Sequence, residues 1–213
     1  MALYTVQTVI DKVKILIEEA SDTNIITENQ LITAVSDAQK WVAAETGCYR
    51  DWGTITLLAS TIRYSPPTST SGVIALEYNY GGAIGTRNLI PVDPNNVPHP
   101  NDLNLPYFWH FQGNEISVFP ALSPLPSNTT VNVLYGKIPA ALTALTDSLV
   151  IPDEFQIVVP YHVAKVVAIK DNQMEKVNLL NGEIQRLTAK AVAQYDTGSL
   201  GSVGQGGSQG AAG

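Results

Sequence analysis

Residues 148–195 set the frame for everything that precedes them. A short apolar lead-in of Ser148, Leu149, Val150 and Ile151 meets Pro152, Asp153 and Glu154, after which apolar positions recur at helical spacing. Pro152 suits the first turn of a helix, where its missing N–H has no partner to lose, and the two carboxylates meet the positive end of the helix dipole. From Phe155 onward, Val158, Val159, His162, Val163, Val166 and Ile169 stand three and four apart, as one buried helix face requires. Pro160 interrupts the run by removing a donor and crowding the preceding turn, so a kink or a one-turn false start is expected before a main helix that begins near it. Asp171 and Asn172 supply turn or N-cap chemistry for a second helix, whose stripe is Met174, Val177, Leu180, Ile184, Leu187, Ala191 and Tyr195. At 1.5 Å per residue, residues 174–195 make a rod of about 33 Å.

The N-terminal stretch repeats the helical pattern. Val6, Val9, Ile10, Val13, Leu16, Ile17 and Ala20 form an apolar stripe over residues 5–20, with Asp11, Lys12, Lys14, Glu18 and Glu19 outside it. Residues 21–24 break it. Thr27 followed by Gln30 has the form of a capping box, Leu31, Val35, Ala38 and Val42 carry a second helix, and Gly47 is placed for a left-handed C-cap. A helical hairpin is the expectation for residues 1–52.

Beyond it the periodicity drops towards two and Thr, Tyr, Gly and Pro become common. Residues 54–58 and 61–64 read as strands joined by a turn at Ala59 and Ser60, and Pro66 and Pro67 stop them. Residues 73–80 place Ile74, Leu76, Tyr78 and Tyr80 on one face, followed by the hairpin-prone Gly81 and Gly82. A weaker strand is read at 87–92, then a Pro- and Asn-rich loop at 93–106. Strands at 107–111, 115–119 and 130–135 complete the β region, with Gln112, Gly113 and Asn114 as a tight turn. About six short strands at 53–147 between helices at 1–52 and 148–195 describe an α+β chain: a helical bundle from both ends with an inserted antiparallel β domain.

Residues 196–213 hold seven glycines with Ser and Gln and no apolar period. Ordering each residue costs about 1–2 kcal/mol, and Gly stands at the expensive end, so an extended tail that gains its shape from a neighbour is expected. Fully extended it reaches about 60 Å, past a folded part whose diameter is about 40 Å.

Catalytic chemistry is hard to find. His110 lies in an aromatic strand with no Ser or Cys motif beside it, and His162 lies on an apolar helix face; packed or rim roles suit both. Asp93, His99 and Asp102 have no metal-loop spacing. Gly82 and Gly85 precede no helix that would complete a phosphate cradle. Asn128 begins a formal glycosylation sequon, but the N-terminus has no secretion signal to give it a role. The aromatics Tyr78, Tyr80, Tyr107, Phe108 and Trp109 make either a sugar-binding face or a sheet core covered by helices, the second being the simpler use. The single Cys48 excludes an internal disulfide and, with three histidines, argues against structural zinc. No apolar run approaches the roughly 20 residues of a membrane span, and synthesis in a cytoplasm is expected. A net charge of −7 argues against tight, phosphate-driven nucleic-acid binding, although a strand can slide past an acidic wall. No enzyme, cofactor or metal reading follows. What is left is a protein of surfaces.

The order of blocks resembles the head-to-tail connector, or adaptor, proteins of tailed bacteriophages. The resemblance rests on the N-terminal hairpin with Ala38, Gln39, Lys40 and Trp41, the strand pair ending Arg63, Tyr64, Ser65 and Pro66, the strand from Glu115 to Phe119 with Pro120, and the lead-in from Leu149 to Phe155. The Pro160 break and the long Pro-rich loop depart from that pattern. The resemblance implies a structural virion protein, a homo-oligomeric ring of twelve copies at the head–tail junction that assembles in the host cytoplasm. It would dock beneath the portal protein and offer its other face to tail or nozzle proteins, with DNA passing through the lumen without sequence-specific binding. In related rings the C-terminal segment inserts against the portal, which points to Asp196, Leu200, Val203, Gln205, Gln209 and Gly213 as interface residues. Another neck or tail-completion component would use the same surfaces, and a small-ligand or carbohydrate-binding module using the aromatic strand at residues 107–111 is the contrasting reading.

Overall fold

A computed structural model describes residues 4–17, 26–81, 84–93, 95–97, 105–123, 125 and 129–203, the last eight of these by backbone alone. The chain is α+β, and it divides into two compact units: residues 1–48 with 139–213, which carry the helices, and residues 49–138, which carry the strands. The division falls after residue 48 and after residue 138. Residues 139–147 go with the helices because their backbone is tied there: Gln7 N–H donates to Leu145 O at 3.1 Å, Val6 N–H to Asp147 O at 2.9 Å, and Leu142 N–H to Ser36 Oγ at 3.1 Å.

In the helical unit, α1 (Val6–Ile17) and α2 (Glu28–Thr46) bury the two N-terminal stripes. Thr27 closes the capping box with Gln30, and Gly47 caps the other end at φ 58°, a left-handed conformation that costs a residue without Cβ nothing. The expected false start is real. One turn, α3 (Asp153–Gln156), precedes α4 (Val158–Lys170), and Pro160 falls in the first turn of α4, where its absent N–H has no partner to miss. Pro152 stands just outside α3, as its N-cap.

Helix α4 packs against α1, α2 and the final helix α5 (Met174–Val203). Its buried face is Val158, Val159, Val163, Ala164, Val167 and Ala168. Ile169, expected inside, is 47% exposed, because three neighbouring helices draw a broader and rotated face than a single stripe. Along α5 the expected stripe from Val177 to Ala191 is buried, but Met174 is 61% exposed. The helix also continues from Tyr195 to Val203, so the expected extended tail does not begin at Asp196; a helix already nucleated adds residues without a new nucleation cost, although Gly198 and Gly201 each oppose it. Residues 204–213 lie outside the described part.

The β unit holds two four-stranded sheets where about six strands of one antiparallel region were expected. The first orders β1 (Arg50–Thr56), β8 (Thr130–Lys137), β3 (Thr70–Asn79) and β4 (Thr86–Asn88). The second orders β2 (Arg63–Tyr64), β7 (Glu115–Phe119), β6 (Phe108–Gln112) and β5 (Ile90–Pro91). The turn at Ser60 therefore joins strands of different sheets. The single strand read at 87–92 is broken at Leu89, whose side chain enters the core while its N–H bonds Leu76 O at 2.7 Å; Ile90 then bonds Tyr107 O at 2.9 Å, and β5 pairs β6 in parallel. The β6–β7 turn is the expected one, with Gly113 and Asn114 both at φ 61°, the sign a two-residue hairpin loop needs.

Residues from both sheets share one core: Leu57, Leu76, Tyr78, Val131 and Val133 meet Trp109, Ile116, Val118 and Leu122. In β3 the pairing slips between Val73 and Ala75, leaving Ile74 40% exposed while Leu76 and Tyr78 stay buried. A bulge of this kind inserts one residue against the partner strand and turns the alternation over, so Ile74 leaves the face expected for it.

Candidate assembly interface

Two apolar depressions open on the helical unit, both beside α4. One, of about 200 Å³, is lined by Lys12, Ile15 and Leu16 of α1 with Ile157, Pro160 and Tyr161. Ile15 is 77% exposed and Ile157 41%. Lys12 donates to the hydroxyl of Tyr4 and lies over that ring, 3.9 Å from its centre. The other, of about 360 Å³, lies along the seam of α2 and α4, among Thr33, Ala34, Asp37, His162, Val166 and Lys170.

His162 forms a side of the larger depression. Its ring lies 4.6 Å from that of Trp41 and its Nδ1 is buried with no hydrogen-bond partner among the described residues. Burial, and then the neighbouring charge of Lys165, holds its pKa below the ordinary histidine value, so the ring is neutral at pH 7. This is a half-buried, uncharged histidine on a helix flank, as its apolar spacing implied.

What fixes the helices that frame both depressions was not visible in any apolar pattern. Gln39 and Gln156 are almost wholly buried. Gln39 Oε1 accepts from Val150 N–H at 2.8 Å, while Gln156 Oε1 accepts from Tyr4 N–H at 2.9 Å and its Nε2 donates to Ile151 O at 2.9 Å. The lead-in 148–151 is thereby pinned to α2 and to the start of α1, and Leu149 N–H reaches Tyr4 O at 2.9 Å to complete the tie. A glutamine at a stripe edge was the only available signal.

The interface residues inferred for the C-terminus divide. Asp196, Leu200 and Val203 lie on the helical backbone of α5, and Gln205, Gln209 and Gly213 lie outside the described residues. Among the other candidates, His110 hydrogen-bonds Val92 O at 3.1 Å and Gln112 Oε1 at 3.3 Å. Asp93 accepts from Asn95 N–H at 2.9 Å in a local turn; His99, Asp102, Gly82 and Asn128 lie outside the described part. Among the described residues no group of three or more His, Cys, Asp or Glu is placed to hold a metal, and no helix is long and apolar enough to cross a membrane.

Of the aromatic run, Tyr78 and Trp109 are buried, while Tyr80, Tyr107 and Phe108 are half-buried. Tyr78 and Trp109 are core residues, Trp109 Nε1 donates to Leu89 O at 3.1 Å, and the hydroxyl of Tyr80 donates to Pro106 O at 2.5 Å. Burial, with the nearby Tyr107 and Tyr78, pushes the Tyr80 phenol up to about 12. Tyr78 and Trp109 lie in the core that residues of both sheets share, and Tyr80 packs against it. Trp52, 51% exposed across from Leu134, is a large apolar side chain on the outer face of the first sheet.

Exposed aliphatic residues around shallow, mostly apolar depressions are the marks of a protein that works by packing against other proteins. Residues 4–209 match the model of the SU10 adaptor protein family, and the chain belongs to that family of bacteriophage adaptor proteins. No curated protein matches the chain. It is thus a structural component of a phage virion that makes contact with other virion proteins.

Proposed function

We propose that the chain is a head-to-tail connector that assembles into a ring, of twelve copies, between the portal of the capsid and the tail. The observation that carries this reading is the helical unit itself: in a phage adaptor chain, it leaves two apolar depressions open on either flank of a central helix after its own core is complete. Faces of that kind suit lateral neighbours. The acidic balance of the chain, −7, suits a lumen that DNA traverses without being gripped.

The C-terminal run is the part assigned to the portal, through Asp196, Leu200, Val203, Gln205, Gln209 and Gly213. Helix α5 carries the first three of these positions, and the glycine-rich residues that follow would take their shape from the portal surface. In this reading the strand unit, an insertion between the two helical segments, meets the tail or nozzle proteins. The site of action is the head–tail junction of the virion, reached after assembly in the host cytoplasm.

Co-purification with portal rings tests the whole. The full chain is expected to bind portal rings at a fixed stoichiometry, and a chain ending at Tyr195 is expected to bind at least tenfold more weakly. A truncated chain that joins portal rings with undiminished affinity defeats the portal role of the C-terminus.

A further inference from the structure

We infer that two copies of this chain, outside any larger assembly, join their strand units edge to edge through β1, antiparallel and centred on Ile55. The contact is independent of the ring reading above, since a ring with rotational symmetry alone has no two-fold axis to relate such a pair.

The edge is open and its limits are built in. β1 is the outer strand of the first sheet, paired with β8 from Arg50 across Gly136 to Thr56 across Thr130. Tyr49 O accepts from Lys137 N–H and Leu57 N–H donates to Thr129 O in the same register, so residues 51, 53 and 55 turn their backbone groups to β8. Residues 52, 54 and 56 turn theirs outward. The Trp52 N–H is taken by Asp51 Oδ1 at 2.9 Å. The Leu58 N–H is taken by the Tyr64 hydroxyl at 3.2 Å, and Leu58 O accepts from Thr61 N–H at 3.2 Å. Between these two stops, the N–H and C=O of Thr54 and Thr56 have no partner among the described residues, and both residues are exposed.

An extended backbone is what satisfies such a row, and the register selects a second β1. With the axis at Ile55, Thr54 of one copy stands across from Thr56 of the other, twice over, so each open donor meets an open acceptor and none is left. One rung further out, Trp52 stands across from Leu58 of the second copy. These side chains are 51% and 56% exposed, and they share the outer face with Thr54 and Thr56, because Ile55 and Leu57 point into the core. The same two-fold therefore completes the ladder and covers an apolar pair at each end. Between residues 52 and 58 no charge of one copy meets a charge of the other. The other edges among the described strands are poorer: β4 has three residues, β2 and β5 two each, and Pro91 of β5 has no N–H to give.

A patch that meets itself about a two-fold gives a closed dimer and not a fibre. A contact this small is transient, with a dissociation constant on the order of 0.1–1 mM.

Sedimentation equilibrium and amide exchange on the full chain test the contact. As protein rises to about 1 mM, a monomer–dimer equilibrium is expected, with exchange at the Thr54 and Thr56 amides slowed severalfold. Trp52→Lys and Leu58→Glu, each alone, should weaken the dimer about tenfold. The Ile55 and Leu57 amides, which face β8, should stay protected in both variants and show the strand unit intact. Mixing the two variants should restore a heterodimer, because opposite charges then face each other at one end while the native pair remains at the other. Exchange at Thr54 and Thr56 that does not change with concentration overturns the inference, as does a mixture that associates no better than the separate variants. Neither result bears on portal binding, by which the ring reading is judged.

Discussion

In the β unit one uninterrupted stretch, residues 49–138, closes its own core, whereas in the helical unit residues 1–48 and 139–213 must meet before any core exists. The first closes a core between two sheets and still leaves Trp52, Ile74 and Ile90 exposed. The second is tied across the gap by buried amides, Gln39 to Val150 and Gln156 to Tyr4, and retains exposed aliphatics on its flanks. Both units keep large apolar side chains outside their cores, and what sets the helical one apart is that buried amides hold two distant stretches together.

The largest effect should come from Phe155→Ala. That ring is buried and stands edge-on to Tyr195, 5.5 Å between centres, while the Tyr195 hydroxyl donates to Cys48 O at 3.2 Å. The loss should be about 3–5 kcal/mol. Hydrogen exchange should show protection falling in α3, α4 and α5 before the strands; equal loss in both units would break the contrast drawn above.

Gly53→Ala probes the other unit. A Cβ there would lie 2.7 Å from Pro67 Cγ and 3.3 Å from Tyr135 Cε1, and ring and aromatic have little room to retreat, so about 1–3 kcal/mol should be lost on chemical denaturation. Adding Pro67→Ala should restore part of it. No recovery would place the cost in the strand itself.

The smallest effect concerns His162. Its folded pKa lies below the unfolded value, so the unfolded chain takes up a proton first as pH falls, and stability held above about pH 6.5 is lost below it. His162→Gln should therefore lose less stability between pH 7 and pH 5 than the native chain does. Parallel melting curves across that range would show that the ring contributes nothing to the acid response.

Local signals were legible in the chain and long-range ones were not. Thr27 with Gln30, Gly47, and Gly113 with Asn114 could be read because a cap or a two-residue turn is decided by the few residues that form it. The division into two sheets could not, because Leu89 breaks its strand for a core assembled from residues far along the chain. Ile74 was misplaced by a bulge that period-two counting cannot register. Gln39 and Gln156 gave no local signal of burial, because the backbone groups that pair with them, Val150 and Tyr4, come from the other end of the chain. Of the surfaces, the His162 flank was read as apolar, but the depression beside it needs the placement of α2, which no spacing within α4 encodes.

The clamp that joins Tyr4 to Gln156 also sets a schedule. On a ribosome, α1 and α2 emerge long before α4, and at roughly 5–20 residues per second the delay is several seconds to some twenty. During that interval residues 49–138 are available to fold as a unit, while α1 and α2 lack the α4 they pack against. Apolar surface left open at this stage is prone to aggregate, and a slow codon stretch after residue 138 would lengthen its exposure.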